Sequence, residues 1–313
     1  MYLPEATLTA PPTIISLGGA ERSGPLDRLK AGGPIAWIGA AVTLGVLAAV
    51  LWQLRTLNLR DVIDDIPASP LFWLLFVVSY CTAPLADWVI FRRLWRIPAA
   101  GFAALTRKMI GNELLLGYSG ELYFYSWARS RADLPGAPFG AIKDVAILSA
   151  LVGNAVTLAM LALAWPAFGS LHLGVSGRTF AVSVGIVLVT SLAMMLLRNR
   201  LFGLSRGDLL FVSAVHFARL ALKTALAALM WHVVLPGQPV GLWLLLATVR
   251  LLISRLPLLP NKDLVFAGIA VLLLGHDVEI GTMMTMIATL MLTAHVAVGA
   301  ALVGSEIASW GRK

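Results

Sequence analysis

Charge is scarce in this sequence. Of 313 residues only 13% are Asp, Glu, Lys or Arg, while 59% are hydrophobic and mean hydropathy is +0.85. A soluble domain of this size needs far more polar surface, so a water-soluble globular fold is excluded. Cysteine is nearly absent. Cys81 is the single copy and sits within an apolar run, which rules out a disulfide framework and leaves it as a small packing residue. The five histidines are scattered and none shows metal-ligand spacing, so no metal or other cofactor is expected. There is no nucleotide-binding loop and no Gly-x-Ser-x-Gly elbow, so no catalytic residue is nominated and the chain is expected not to be an enzyme. Acidic residues are outnumbered by basic ones, 16 to 24, for a net charge of +8. The basic residues flank apolar runs instead of covering a soluble face. Their excess suits anionic membrane lipid and not nucleic acid.

What the chain has in abundance is long apolar runs. They do not alternate as barrel strands do. They predict an all-α polytopic membrane protein with six spans at about 34–54, 70–91, 140–166, 179–198, 208–235 and 279–304, each near the ~20 residues that cross a bilayer. Residues 1–33, rich in Pro, Gly, Thr and Ser, are expected to lack fixed structure, and 306–313 form a short tail. The run 34–54 is too long for a signal-peptide core and is expected to be retained. If both termini are cytoplasmic, 16 basic residues fall on inner segments and 3 (Arg55, Arg60 and Arg178) on outer ones. The positive-inside rule therefore orients the chain that way, in a membrane of the bacterial inner (plasma) type.

Two apolar stretches do not fit six simple spans. Residues 101–128 are interrupted at Gly117-Tyr118-Ser119-Gly120, and residues 241–276 at Pro257 to Lys262. Each arm has roughly 10–16 residues and so reaches only part-way through the hydrocarbon. They read as two re-entrant helical hairpins, one entering from each side. The breaks also align with each other at a constant offset of 142: Lys108 on Arg250, Leu114 on Leu256, Glu121 on Asp263, Leu122 on Leu264 and Phe124 on Phe266. Span, hairpin, span, repeated in opposite orientation over about 70–166 and 208–304, is the pattern of transporters whose site lies between the repeats.

Three features resemble the membrane region of the lysylphosphatidylglycerol synthase family, a flippase-like domain, over about 70–305. One is Tyr80 to Trp95, a span ending in an Arg/Trp cluster. Another is Ile110-Gly111-Asn112 followed by Gly120-Glu121. The third is the Pro-containing break before Asp263. The first break reads Gly-Tyr-Ser-Gly-Glu where the family reads more like Pro-Gly-x-x-Gly-Glu. The resemblance implies a lipid-handling membrane domain without the aminoacyl-transfer domain of the full synthases, and a possible homodimer.

A charge at mid-membrane costs roughly 2.5–3.5 kcal/mol on insertion scales, so each one should face protein or water. His216, Arg219 and Lys223 share one face of the fifth span by their spacing of three and four. The cations there need an anion, either Asp87, Glu113, Glu121 or Asp263, or a lipid phosphate. Arg250, Arg255 and Lys262 form either a phosphate cradle or internal pairs with Asp263, which could instead cap the following helix. Arg250 and Arg255, five residues apart, do not share a face well. Asn112, Glu113, Tyr118, Ser119 and Glu121 are polar at membrane depth; Glu121 either caps the returning helix or contacts a headgroup. Asp87, after Pro84, is expected to pair with an intramembrane cation. His295 reads equally as a helix–helix hydrogen bonder or a functional group. Trp73, Trp88, Trp95, Trp127 and Trp243 read as interface anchors. The function expected from these residues is translocation of an anionic phospholipid or polyprenyl-phosphate-type lipid, passive or ion-coupled. The alternatives are a membrane-embedded lipid-modifying enzyme, or a non-transporting partner of one.

Overall fold

In a computed structural model, residues 67–115, 119–130, 138–170, 202–255, 262–274 and 278–310 are described. Their regular structure is entirely helical. The helices are α1 (Pro70–Trp95), α2 (Gly101–Leu114), α3 (Ser119–Arg129), α4 (Pro138–Ser170), α5 (Arg206–Val234), α6 (Val240–Ser254), α7 (Lys262–Leu274) and α8 (Val278–Trp310). Four stretches, Pro70–Trp95, Gly140–Ala164, Arg206–Val234 and Glu279–Ser305, are long and apolar enough to cross a membrane. They carry four of the six expected spans. The other two, 34–54 and 179–198, lie outside the described residues, as do Tyr118 and the prolines of the second break. The chain is built as a helical integral membrane protein.

Local chemistry explains where the long helices start and stop. Ser69 caps α1 by accepting from the Phe72 amide at 3.5 Å, with Pro70 in the first turn, where its missing N–H costs nothing. Ser205 caps α5 by accepting from the Asp208 amide at 3.2 Å. The helix α1 runs through Pro84 and ends at Arg96, whose φ of 52° lets its N–H reach back to the Arg92 carbonyl. On the outside of α1, Leu71, Leu74, Val78, Leu85 and Val89 are exposed, and on α5 Leu210, Phe217, Leu222 and Leu229 are. The exposed positions recur at spacings of three, four and seven on α1 and of five and seven on α5, and these outward apolar faces suit acyl chains.

Phe72 and Phe76, near the start of α1, share a core with Met230 and Trp231 near the end of α5. Ile90 and Phe91, near the end of α1, share another with Val212 near the start of α5. The two helices therefore run antiparallel. The first core also holds α6, α7 and α8, and the second holds α2, α3 and α4. The α2–α3 and α6–α7 hairpins thus sit at opposite ends of the α1/α5 pair. Between apolar helices in lipid such cores act through van der Waals fit more than through water exclusion.

The packing has an internal regularity. As α1 packs on α2, α5 packs on α6; as α2 packs on α3, α6 packs on α7. As α3 packs on α4, α7 packs on α8; as α4 packs on α6, α8 packs on α2. The corresponding helices α1 and α5 pack on each other. The contact of α4 with α5 is the exception, matched on the other side by a lighter touch between α1 and α8, where Tyr80 Oη lies 3.1 Å from His295 Nδ1.

One expectation is overturned here. Trp127 and Trp243 are not interface anchors: they are 8% and 3% exposed, Trp127 stacking on Phe124 and Trp243 tilted against Trp231. Proximity to the end of an apolar run places a tryptophan in height but does not say which way it faces. Trp73, Trp88 and Trp95 remain partly exposed on α1, Trp73 donating to the Pro67 carbonyl at 2.9 Å and Trp88 to that of Pro98 at 3.3 Å.

Candidate functional site

The two hairpins meet α1, α4, α5 and α8 around a cavity of about 390 Å³, and all eight helices contribute to its wall. Asp87, Asn112, Glu113, Glu121, Arg219, Lys223, Arg250, Arg255, Lys262 and Asp263 all line it. Among the described residues, six cations (Lys108, Arg219, Lys223, Arg250, Arg255 and Lys262) face four carboxylates (Asp87, Glu113, Glu121 and Asp263). By helical rise, Arg219 lies ~20 Å and Lys223 ~25 Å along α5 from its start.

The first hairpin is knitted together at its tip. Ser119 Oγ donates to the Gly111 carbonyl at 2.8 Å, and the Gly120 amide donates to Asn112 Oδ1 at 2.8 Å. Asn112 Nδ2 in turn donates to Glu121 Oε1 at 3.2 Å. Lys108 Nζ bridges Asp87 Oδ2 at 2.7 Å and Glu121 Oε1 at 3.4 Å. Arg219 completes the network, lying 3.6 Å from Asp87 Oδ1 and donating to Ser149 Oγ at 2.9 Å. This network ties the hairpin to α1, α4 and α5. Of the four anions open to Arg219 in the sequence, Asp87 is the one it meets.

The second hairpin holds the equivalent pair. Arg250 donates to Asp263 Oδ1 from Nε at 3.0 Å and from Nη2 at 2.7 Å. Lys108–Glu121 and Arg250–Asp263 are related by the same offset of 142 that aligns the two breaks. Both pairs join one arm to the other, and both are followed by a buried phenylalanine, Phe124 and Phe266. Lys262 Nζ donates to the Ser254 carbonyl at 3.1 Å, and Arg255 donates to Ser254 Oγ from Nε at 3.0 Å and Nη2 at 2.8 Å.

One expectation needs correcting. The sequence set Arg250 and Arg255 on different faces, yet both reach the cavity, because Arg255 lies past the last turn of α6, which ends at Ser254. His216 lines the cavity together with Arg219 and Lys223, on the one helix face that their spacing predicts. It is 1% exposed, with Nε2 at 3.2 Å from the Val145 carbonyl, so Nε2 carries the proton in this contact.

Sequence reading missed the wall built by α4. Ala146, Ala150 and Asn154 repeat every fourth residue beside Val145 and Ser149, and all of them line the cavity. The available signal was that stripe of small and polar residues within an apolar span. Gly153 belongs to the same stripe. A Cβ there would collide with the Arg255 guanidinium. Gly153→Ala should therefore displace the end of a flexible side chain and leave the unfolding midpoint within about 2 °C of wild type, while moving Arg255 out of its present position. Thermal unfolding beside a ligand-binding assay checks this; a large drop in the midpoint would mean that Arg255 is locked in place.

In comparisons with known proteins, no family model, no curated protein and no solved structure matches this chain.

Proposed function

We propose that this protein is a lipid translocase, a flippase or scramblase, that passes an anionic phospholipid or polyprenyl-phosphate-type lipid between leaflets. The observation that carries this reading is a cavity with six cations and four carboxylates, placed inside a bundle whose outer faces are apolar. A headgroup would enter the cavity while its acyl chains stay against the exposed leucines and valines of α1 and α5. Arg255 lines the cavity and has the fork geometry that suits phosphate oxygens, while Arg250 already holds Asp263.

In this reading the α2–α3 and α6–α7 hairpins are re-entrant and enter from opposite sides of the membrane. The two halves form an inverted repeat within a six-span protein, both termini are cytoplasmic, and the membrane is a bacterial inner membrane. The correspondence of packing pairs between α1–α4 and α5–α8 supports the repeat. The resemblance to the membrane region of lysylphosphatidylglycerol synthases belongs to the same proposal, as do carriage in place of catalysis, a possible homodimer and a possible separate lipid-modifying enzyme as partner.

The test is translocation in proteoliposomes carrying fluorescent phosphatidylglycerol, a zwitterionic lipid or a polyprenyl phosphate, each quenched from outside. Wild type should exceed protein-free vesicles for an anionic lipid, and Arg250→Ala and Asp263→Asn should each be slower by roughly tenfold or more, the scale of one charge-assisted contact. Folded wild type that matches empty vesicles, with and without a proton gradient, would end this reading.

A further inference from the structure

The charges of the cavity are unevenly spread. Around Asp87 the wall is balanced, with Lys108 and Arg219 against Asp87 and Glu121. The rest of the lining holds four cations against two carboxylates, and there Arg250 and Asp263 neutralise each other at 2.7 Å. Lys223 makes no hydrogen bond or ion pair among the described residues, and Lys262 donates to a carbonyl, not a carboxylate. Glu113 lies within electrostatic range of both lysines and pairs with neither. Among the described residues the lining therefore carries six basic and four acidic side chains, with the histidines counted as neutral, and Lys223 and Lys262 are two cations there with no carboxylate in contact.

An ammonium drawn out of bulk water and left without a counter-ion is costly, so a ligand is favoured in proportion to the negative charge it brings. Resting on the reading that a lipid headgroup enters this cavity, we infer that the headgroup is a phosphate monoester seated between Lys223 and Lys262. A monoester carries roughly 1.5–2 negative charges near neutral pH and presents three terminal oxygens, which matches the surplus of the wall. A phosphodiester carries one charge and leaves part of that surplus unmet. Glu113 opposes the phosphate and keeps the seat from holding it too tightly for release.

Binding is measured on the full chain in detergent micelles by native mass spectrometry. The probes are phosphatidic acid, phosphatidylglycerol with the same acyl chains, and inorganic phosphate. Wild type should bind phosphatidic acid about tenfold tighter than phosphatidylglycerol, a difference of one charged contact. Lys223→Gln should bring the two lipids close to parity, Lys223→Arg should keep the preference, and Glu113→Gln should tighten phosphatidic acid binding. Lys262→Gln serves as a second variant should Lys223→Gln fail to fold. Equal wild-type affinity for the two lipids, or a preference untouched in folded Lys223→Gln and Lys262→Gln, would overturn the inference. Inorganic phosphate binding as tightly as phosphatidic acid would support the phosphate chemistry and move its source from lipid to solute. Monoester preference without translocation in vesicles supports the seat and removes the transport reading. Translocation with equal affinities does the reverse.

Discussion

Replacing Lys108 with methionine should lower the unfolding midpoint in detergent by on the order of 10 °C, from a loss of roughly 3–5 kcal/mol. Lys108 is held between two carboxylates, at 2.7 Å from Asp87 and 3.4 Å from Glu121, and the three side chains are only 12%, 10% and 18% exposed. Methionine fills the same length of channel but removes the charge. Two carboxylates then share a poorly hydrated space with only Arg219, which lies 3.6 Å from Asp87. Taking away one side of such a cluster costs far more than taking away all of it. Adding Asp87→Asn and Glu121→Gln to Lys108→Met should therefore restore most of the midpoint. A single variant with an unchanged midpoint would mean that Arg219 compensates Asp87 unaided and that Lys108 is not what clamps the hairpin.

Gly120→Ala should destabilise the protein by about 1–3 kcal/mol or more, while Gly111→Ala should be neutral or stabilising by up to about 1 kcal/mol. The two glycines face each other across the first hairpin, so the contrast isolates one cause. A Cβ on Gly120 would run into the Lys108 carbonyl, which is backbone and cannot turn aside, and would come within 2.9 Å of Asn112 Oδ1. Relief requires the arms to part, which breaks the bond from the Gly120 amide to Asn112 and pulls Glu121 from Lys108. A Cβ on Gly111 meets its nearest neighbour, the Gly120 Cα, at 3.5 Å, an ordinary contact. Urea or thermal unfolding of both variants checks the difference. Equal effects would mean that the arms separate easily at this point.

The broken helices were legible because a breaker inside an apolar run is a local signal. Gly117 to Gly120 and Pro257 to Lys262 fall where α2 gives way to α3 and α6 to α7. The offset of 142 was legible for the same reason, since it needs only residue types in order. Partner choice was not. Asp87 lies 21 residues from Lys108 along the chain, and helical periodicity says nothing about which cation a neighbouring helix will bring alongside it. Tyr80 and His295 were likewise unpaired on paper, being 215 residues apart. Trp127 and Trp243 failed in the other direction. Hydropathy reads height along a helix well and azimuth poorly when the helix is apolar all round.

The two halves of the cavity wall carry opposite charge. From α1 to α4 the lining bears Asp87, Lys108, Glu113 and Glu121; from α5 to α8 it bears Arg219, Lys223, Arg250, Arg255, Lys262 and Asp263. A ribosome makes these halves in that order. The acidic half is made while the basic half is still unmade, and among the described lining residues its three carboxylates then have Lys108 as their one cation. The arrival of α5 brings Arg219 to Asp87 and, with it, the packing partner of α1. The bundle is in this sense an acid joined to a base within one chain, the acidic half of the wall being made first and the basic half second.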